Sequence, residues 1–213
     1  MFHILLVDTI YDQAILEGVA TTFADTENII ESGKVNNMTS EDILKVVNLK
    51  HAWEFILNKN VILSDTNFAL LCEINKMVEE GFYYSAGKLR NVPVTIGGTK
   101  WKPDFPIESI IKEEIEEILN KDMEDIDRAI ELLLYTMKKQ IFIDGNKRTS
   151  VIFSNHYLIS KGRGIIAIPA ELTEEFKDLL IGYYEGKAKN KIKKFIKEKA
   201  YKNLWKNIMS CDS

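Results

Sequence analysis

Three of the chain's four prolines, Pro93, Pro103 and Pro106, fall in one stretch, residues 82–106. Gly87, Gly97 and Gly98 lie in the same stretch. Proline removes a backbone donor and glycine weakens regular structure, so this stretch reads as non-helical. Elsewhere apolar residues recur at the three-to-four spacing of amphipathic helices. The expected fold is therefore mainly α, with one short extended interruption. Within it Val92, Val94 and Ile96 alternate with Pro93 and Thr95, the period of a strand or hairpin arm. Pro93 confines that segment to an edge.

Around the interruption the periodicity predicts a series of helices. A loose pattern over 9–24 carries Ile10, Ala14, Leu16 and Val19, with Asp8 or Thr9 as cap. Residues 25–38 read as polar and turn-like. Thr39, with Asp42 three residues on, opens a strong helix that ends at Asn58. Ser64-Asp65 caps another, which stops at Gly81. Ile107–Leu119 and Asp122–Lys139 follow, the latter apolar enough to be central. Lys147–Ser160 comes next, residues 165–168 are extended, and Pro169 starts a further helix. The last helix is expected over roughly 187–209, with apolar residues including Ile192, Phe195, Leu204, Trp205 and Ile208. We expect an N-terminal helical region, 1–60, and a core, 61–213, in one compact unit.

Composition narrows the function. With 46% hydrophobic residues the chain can bury a sizeable core. Its net charge of −4 gives no argument for general nucleic-acid binding. The Lys-rich face of the last helix is read as a solvated face, and Tyr183-Tyr184 as core-edge aromatics. Cys72 and Cys211 form no metal spacing, which suits a reducing compartment. The N-terminus lacks signal-peptide features, and its apolar run is too short to span a bilayer. A soluble, cytoplasmic protein is expected.

The chemistry concentrates in residues 139–150, Lys-Gln-Ile-Phe-Ile-Asp-Gly-Asn-Lys-Arg-Thr-Ser. Gly145 lets backbone approach a ligand closely. A helix beginning at Asn146–Lys147 points free N–H groups and its dipole at that glycine, which makes an anion site. Lys147 and Arg148 add positive charge, and Arg148 can fork onto phosphate oxygens. The Asn146 amide can hydrogen-bond a phosphate oxygen. Asp144 is a hard oxygen ligand suited to a Mg²⁺ carried by a nucleotide. The set fits phosphoryl or nucleotidyl transfer.

Phe142–Arg148 resembles the Fic family signature His-Pro-Phe-x-Asp/Glu-Gly-Asn-Gly/Lys-Arg. Ser85–Arg90 followed by Val92–Gly98, with Trp101 and Pro103, is similar to that family's flap and the approach to it. Glu17-Gly18, followed by Thr21-Thr22, is similar to its N-terminal inhibitory segment, and Thr39–Leu57 resembles the helix after it. The resemblance covers most of residues 10–185. It implies a Fic-type helical bundle with a small β-hairpin flap at 90–98. It also implies ATP and Mg²⁺ as ligands, and AMP transfer to a Ser, Thr or Tyr hydroxyl of a target protein. Asp144 would hold the metal, and Gly145, Asn146, Lys147 and Arg148 the phosphates. The flap residues Val92, Val94, Ile96, Gly97 and Gly98 would register the target chain, and Glu17 would be inhibitory.

The chain departs from the family pattern. Gln140 stands where the motif has its general-base histidine, and an amide cannot take a proton near neutral pH. Ile141 replaces the motif proline. Val151 occupies the position of a second arginine, the usual partner of the inhibitory glutamate, and Gln13 replaces the expected Ser or Thr. Lys147 is shared with the Doc branch, which resembles a kinase. His3, His51 and His156 all read as structural or surface residues. Three functions follow: a Fic-type adenylyltransferase weakened by Gln140, a nucleotide-binding pseudoenzyme that docks partners, or a Doc-like phosphotransferase.

Overall fold

The computed structural model describes residues 2–33, 35 and 38–203, and side chains from Leu5 onward. Its helices are α1 (Phe2–Leu16), α2 (Phe23–Ser32), α3 (Ser40–Leu57), α4 (Lys59–Ile62) and α5 (Phe68–Val78). After the non-helical stretch come α6 (Glu108–Asn120), α7 (Asp125–Lys139) and α8 (Asn146–Ser160). Then follow β1 (Ile165–Ile166), α9 (Thr173–Tyr184), α10 (Lys189–Phe195) and β2 (Tyr201–Lys202).

Helix α8 is the axis of the fold. Twelve of its fifteen residues are buried, and it packs against α7, α5, α3 and α4. A helix buried on nearly all sides must satisfy its polar groups internally. Asn155 does so by gripping β1: its Nδ2 donates to Ile166 O at 2.7 Å, and its Oδ1 accepts from Ile166 N at 2.7 Å. His156 spends both ring nitrogens, on Thr66 Oγ1 and Val61 O, each at 2.8 Å. It is a structural histidine, as expected, and His51 is exposed on α3.

Most helices fall where the periodicity puts them, with shifted ends. Thr39 caps α3 by accepting from Asp42 N at 3.1 Å. Helix α5 starts three residues beyond Ser64-Asp65, because Asn67 supplies the cap to Leu70 N at 3.0 Å. Helix α1 begins well before residue 9. The first helix, expected to reach residue 24, stops at Leu16, and residues 25–32, expected as turn, belong to helix α2, capped by Thr22 and stopped by a left-handed Gly33. Ile29 and Ile30 anchor it in the core, a short stripe that the polar neighbours hide. The expected last helix is shorter: α10 passes through a π-turn at Ile196–Ala200 into β2. Leu204, Trp205, Ile208 and Cys211 lie outside the described residues.

The fold is thus mainly helical with a small antiparallel two-stranded element, formed by β1 and β2. The flap segment, 91–96, is extended without ladder bonds. Pro93 has no N–H to offer, and the chain turns at Gly97–Gly98. Residues 1–60 share one hydrophobic core with the rest, through Val7, Ile10, Leu49, Trp53 and Ile56. Several lysines after α9 are ion-paired, among them Lys193 with Glu131, Lys197 with Asp127 at 2.9 Å, and Lys199 with Glu175 at 2.9 Å. Among the described residues no helix is long and apolar enough to cross a membrane.

Candidate active site

Helix α7 ends at Gln140, whose φ of 47° is left-handed, and α8 begins after Gly145. The loop between them is held by its own side chains. Asn146 Nδ2 donates to Phe142 O at 2.8 Å, and its Oδ1 accepts from Phe142 N at 3.0 Å. The Asn146 amide thus closes the loop with its oxygen and one of its two N–H groups, and Asn146 also lines the cavity described below. Gly145 has a φ of 71°, and a Cβ there would sit 2.4 Å from Glu79 Oε1. Only glycine fits on both counts.

Asn75 fastens the loop from α5. It donates to Asp144 O and to Thr149 Oγ1, both at 3.1 Å, and accepts from Gly87 N at 2.9 Å. Nothing in the periodicity of α5 marked it as more than a polar helix residue.

Behind the loop lies an ion cluster. Arg148 has a side chain only 2% exposed, with Nη2 2.8 Å from Glu79 Oε1 and 3.6 Å from Asp144 Oδ2. Its Nε is 3.6 Å from Glu17 Oε2, and Lys147 Nζ is 3.4 Å from Glu17 Oε1. Arg148 Nε and Nη1 and both Glu79 oxygens have no hydrogen-bond partner. Burial pushes the Glu79 carboxyl up to about 7 against the pull of Arg148. Sequence reasoning missed Glu79, which reads as one of several acids at a helix end.

Glu17 reaches this cluster because Gln13 pins α1 in place. Gln13 Nε2 donates to Arg148 O at 2.8 Å, and its Oε1 accepts from Trp53 Nε1 at 2.8 Å. The expected second arginine is Val151, buried in the core, and Glu17 faces Lys147 and Arg148 instead.

In front of the loop opens a cavity of about 370 Å³. Gln140, Asp144, Asn146 and Lys147 of the motif line it, together with Glu17. Flap residues Val94, Thr95, Ile96 and Gly97 and, from α9, Lys177 and Tyr184 complete the lining. Tyr184 stacks on Trp101 with ring centres 5.3 Å apart. Burial pushes its phenol up, so it stays protonated. Val92, Gly98, Gly145 and Arg148 lie outside the lining. Gly98 instead meets α9, where a Cβ would come 2.7 Å from Ile181.

Gln140 turns its amide back onto α7, with Nε2 donating to Met137 O at 2.7 Å. Its carbonyl accepts from Arg90 Nε at 2.6 Å. Arg90 also donates from Nη1 to Val92 O at 3.0 Å and from Nη2 to Asp104 O at 2.5 Å. Its backbone N–H reaches Ile141 O at 3.0 Å. One buried guanidinium thus ties Val92 and Asp104, on either side of the Gly97–Gly98 turn, to the motif loop. A lysine cannot reproduce that fork. Arg90→Lys is expected to speed proteolytic cleavage within 91–104 and to lower Tm by several degrees, checked by limited proteolysis and calorimetry. Unchanged cleavage would mean that the flap is held by other contacts.

Asp144 is the candidate metal ligand. Its side chain is half exposed and its Oδ1 accepts from Gly145 N at 2.7 Å. Among the described residues no group of three His, Cys, Asp or Glu converges on a metal position. One carboxylate fits a Mg²⁺ that arrives with phosphate ligands, and does not fit a self-sufficient metal site.

A helical core with a pocket at one helix N-terminus, walled by an extended flap, defines the class of fold. Comparison with known proteins assigns one segment of the chain to a family. Residues 65–158 match the model of the Fic/DOC family. A Fic-domain-containing signaling protein from Bacteroides thetaiotaomicron aligns at TM-score 0.71 and 19% identity, covering 83% of this chain and 70% of that one. Fic-1 from C. elegans (aa134–508) aligns at 0.72 and 20% identity, covering 90% and 59%. A Fic family protein from Desulfovibrio desulfuricans aligns at 0.73 and 13% identity, covering 98% and 66%. The chain therefore spans about two thirds of the length of these structures. No curated protein matches its sequence significantly. Residues 65–158 are a Fic/DOC-family segment, and the whole chain shares the fold of Fic-domain structures. The flap, Asn75, Glu79 and the 140–148 loop lie inside the matched segment, and Glu17 lies outside it.

Proposed function

We propose that the protein binds Mg²⁺–ATP in this cavity and transfers AMP to a Ser, Thr or Tyr hydroxyl of a target protein lying along the flap. The observation that carries the reading is the single cavity shared by Asp144, the α8 N-terminus, Lys147, Gln140 and flap residues 94–97. The target oxygen attacks the α-phosphorus, the bond to the bridging α–β oxygen breaks, and pyrophosphate leaves. Backbone N–H groups at the start of α8, with Lys147, receive the phosphate charge. Asp144 would hold a Mg²⁺ arriving with the phosphates, and that ion would supply positive charge to the leaving group. The hydroxyl proton passes to water, because Gln140 accepts none, and transfer is accordingly slow. Glu17, paired with Lys147 and close to Arg148, occupies anion space and restrains binding. We assign the activity to the cytoplasm, in keeping with Cys72, a free thiol whose burial pushes it up to about 11.

The test is labelling of lysate proteins with α-phosphate-labelled ATP by Glu17→Ala, alone and with Asp144→Ala. Label that needs Mg²⁺ and Asp144 is expected. Mg²⁺–ATP binding without label favours the second reading, a nucleotide-gated docking module, for which the tethered Gln140 amide argues. Label from the γ-phosphate instead assigns a Doc-like phosphotransfer. No binding by calorimetry overturns all three.

A further inference from the structure

Two carboxylates compete for Arg148, and they are not equivalent. Glu79 Oε1 lies 2.8 Å from Nη2, whereas Glu17 Oε2 lies 3.6 Å from Nε. The Glu79 side chain is 2% exposed and that of Glu17 12%. Coulomb attraction grows as distance and dielectric fall, so Glu79 is the stronger partner. Its seat is also built for it. Glu79 lies against the Cα of Gly145, where a Cβ would stand 2.4 Å from its Oε1. The guanidinium is thus gripped at one nitrogen from behind the loop. Nε and Nη1 remain without hydrogen-bond partners, and a buried donor so left is costly.

We infer that Glu79 is a positioning residue, holding the Arg148 guanidinium beneath the α8 N-terminus with Nε and Nη1 unspent for phosphate oxygens. Glu17, whose restraint on binding belongs to the proposed function, meets the same guanidinium at Nε, 3.6 Å away. The inference rests on the phosphate-binding reading of the cavity. Removing Glu17 then uncovers an arginine already in place, and no rearrangement separates the restrained from the binding-competent loop. Glu79 acts on Arg148 through a 2.8 Å ion pair without a hydrogen bond, and its charge has two opposed effects towards ATP. It holds the fork in place, and it repels phosphate. A positioning role therefore predicts weaker nucleotide binding when the carboxylate is lost. A purely electrostatic role predicts tighter binding when the charge is lost.

Two measurements test this. The first is the ligand-free crystal structures of Glu17→Ala and Glu79→Met, where the arginine is expected to stay in place in the former and to move in the latter. An arginine unmoved in Glu79→Met, or displaced in Glu17→Ala, overturns the assignment. The second is calorimetry with Mg²⁺–ATP in the Glu17→Ala background. Glu79→Met and Glu79→Gln, which both remove the charged partner of the arginine, are each expected to weaken Kd at least tenfold. Equal or tighter binding by Glu79→Met overturns the positioning role. If the Glu17→Ala background binds no ATP, the reading of the cavity as a nucleotide site falls, while the crystal structures still decide which acid holds Arg148. Glu79→Gln keeps both arms informative should Glu79→Met fail to fold.

Discussion

Gln140→His is expected to raise transfer of AMP to target proteins by about 10²–10⁴-fold, the usual contribution of a positioned general base. Residue 140 lines the cavity beside Asp144 and the flap, so a base there reaches a hydroxyl held against residues 94–97. The backbone favours the exchange. A φ of 47° is costly for most side chains, and histidine is among the residues found more often than average in that region. The exchange loses the bond from Gln140 Nε2 to Met137 O, worth about 1 kcal/mol, so folding should survive it. The bond from Arg90 to the carbonyl of residue 140 is independent of the side chain. The measurement is initial-rate labelling with α-phosphate-labelled ATP, with both variants also carrying Glu17→Ala so that access is equal. Equal rates would mean that residue 140 takes no proton in this chain. A silent pair that still binds Mg²⁺–ATP would assign the docking role.

What could be read in the sequence depended on how local its cause was. Asp144, Asn146 and Lys147 stand within four residues of chain, and a glycine before a helix announces an anion site wherever it occurs. The helices were legible for the same reason: α3 and α7 carry their own stripes, and Thr39 its own cap. Glu79 and Asn75 were not legible, because their roles come from α5 crossing behind a loop some sixty to seventy residues later. Arg90 was visible only through resemblance, since a buried arginine answering to backbone carbonyls leaves no pattern in the sequence. The Asn146 amide has a second task that the sequence hid: it closes the loop on Phe142 through Oδ1 and one of its two Nδ2 hydrogens. The flap alternation was real, yet Pro93 and the absence of a facing strand left its fixing to Arg90 rather than to a ladder. Glu17 found its partners one turn earlier than the missing second arginine, because Gln13 locks α1 onto α8.

Arg148→Ala is expected to lower unfolding free energy by about 3–5 kcal/mol at pH 8, the scale for stranding one member of a buried ion pair. Its loss at pH 6 should be clearly smaller. Glu79 already titrates in the folded chain at about 7, above its ordinary 4.5, so folding favours its protonated form. A carboxyl raised in this way contributes stability that is fully present below about 4.5 and is lost as pH climbs towards 7. Arg148 opposes that rise by favouring the carboxylate. Without the arginine the folded Glu79 holds its proton to higher pH, and stability goes on falling above 7, where the unaltered chain has levelled off. The difference between the two therefore widens from pH 6 to pH 9. Urea unfolding across that range measures it. The control is Arg148→Ala combined with Glu79→Gln, which carries no titrating group at that position and should show a difference nearly constant with pH. A gap equally large at pH 6 and pH 9 for Arg148→Ala alone would place the cost elsewhere, in the packing of the arginine stem or in its weaker contacts with Glu17 and Asp144 at 3.6 Å.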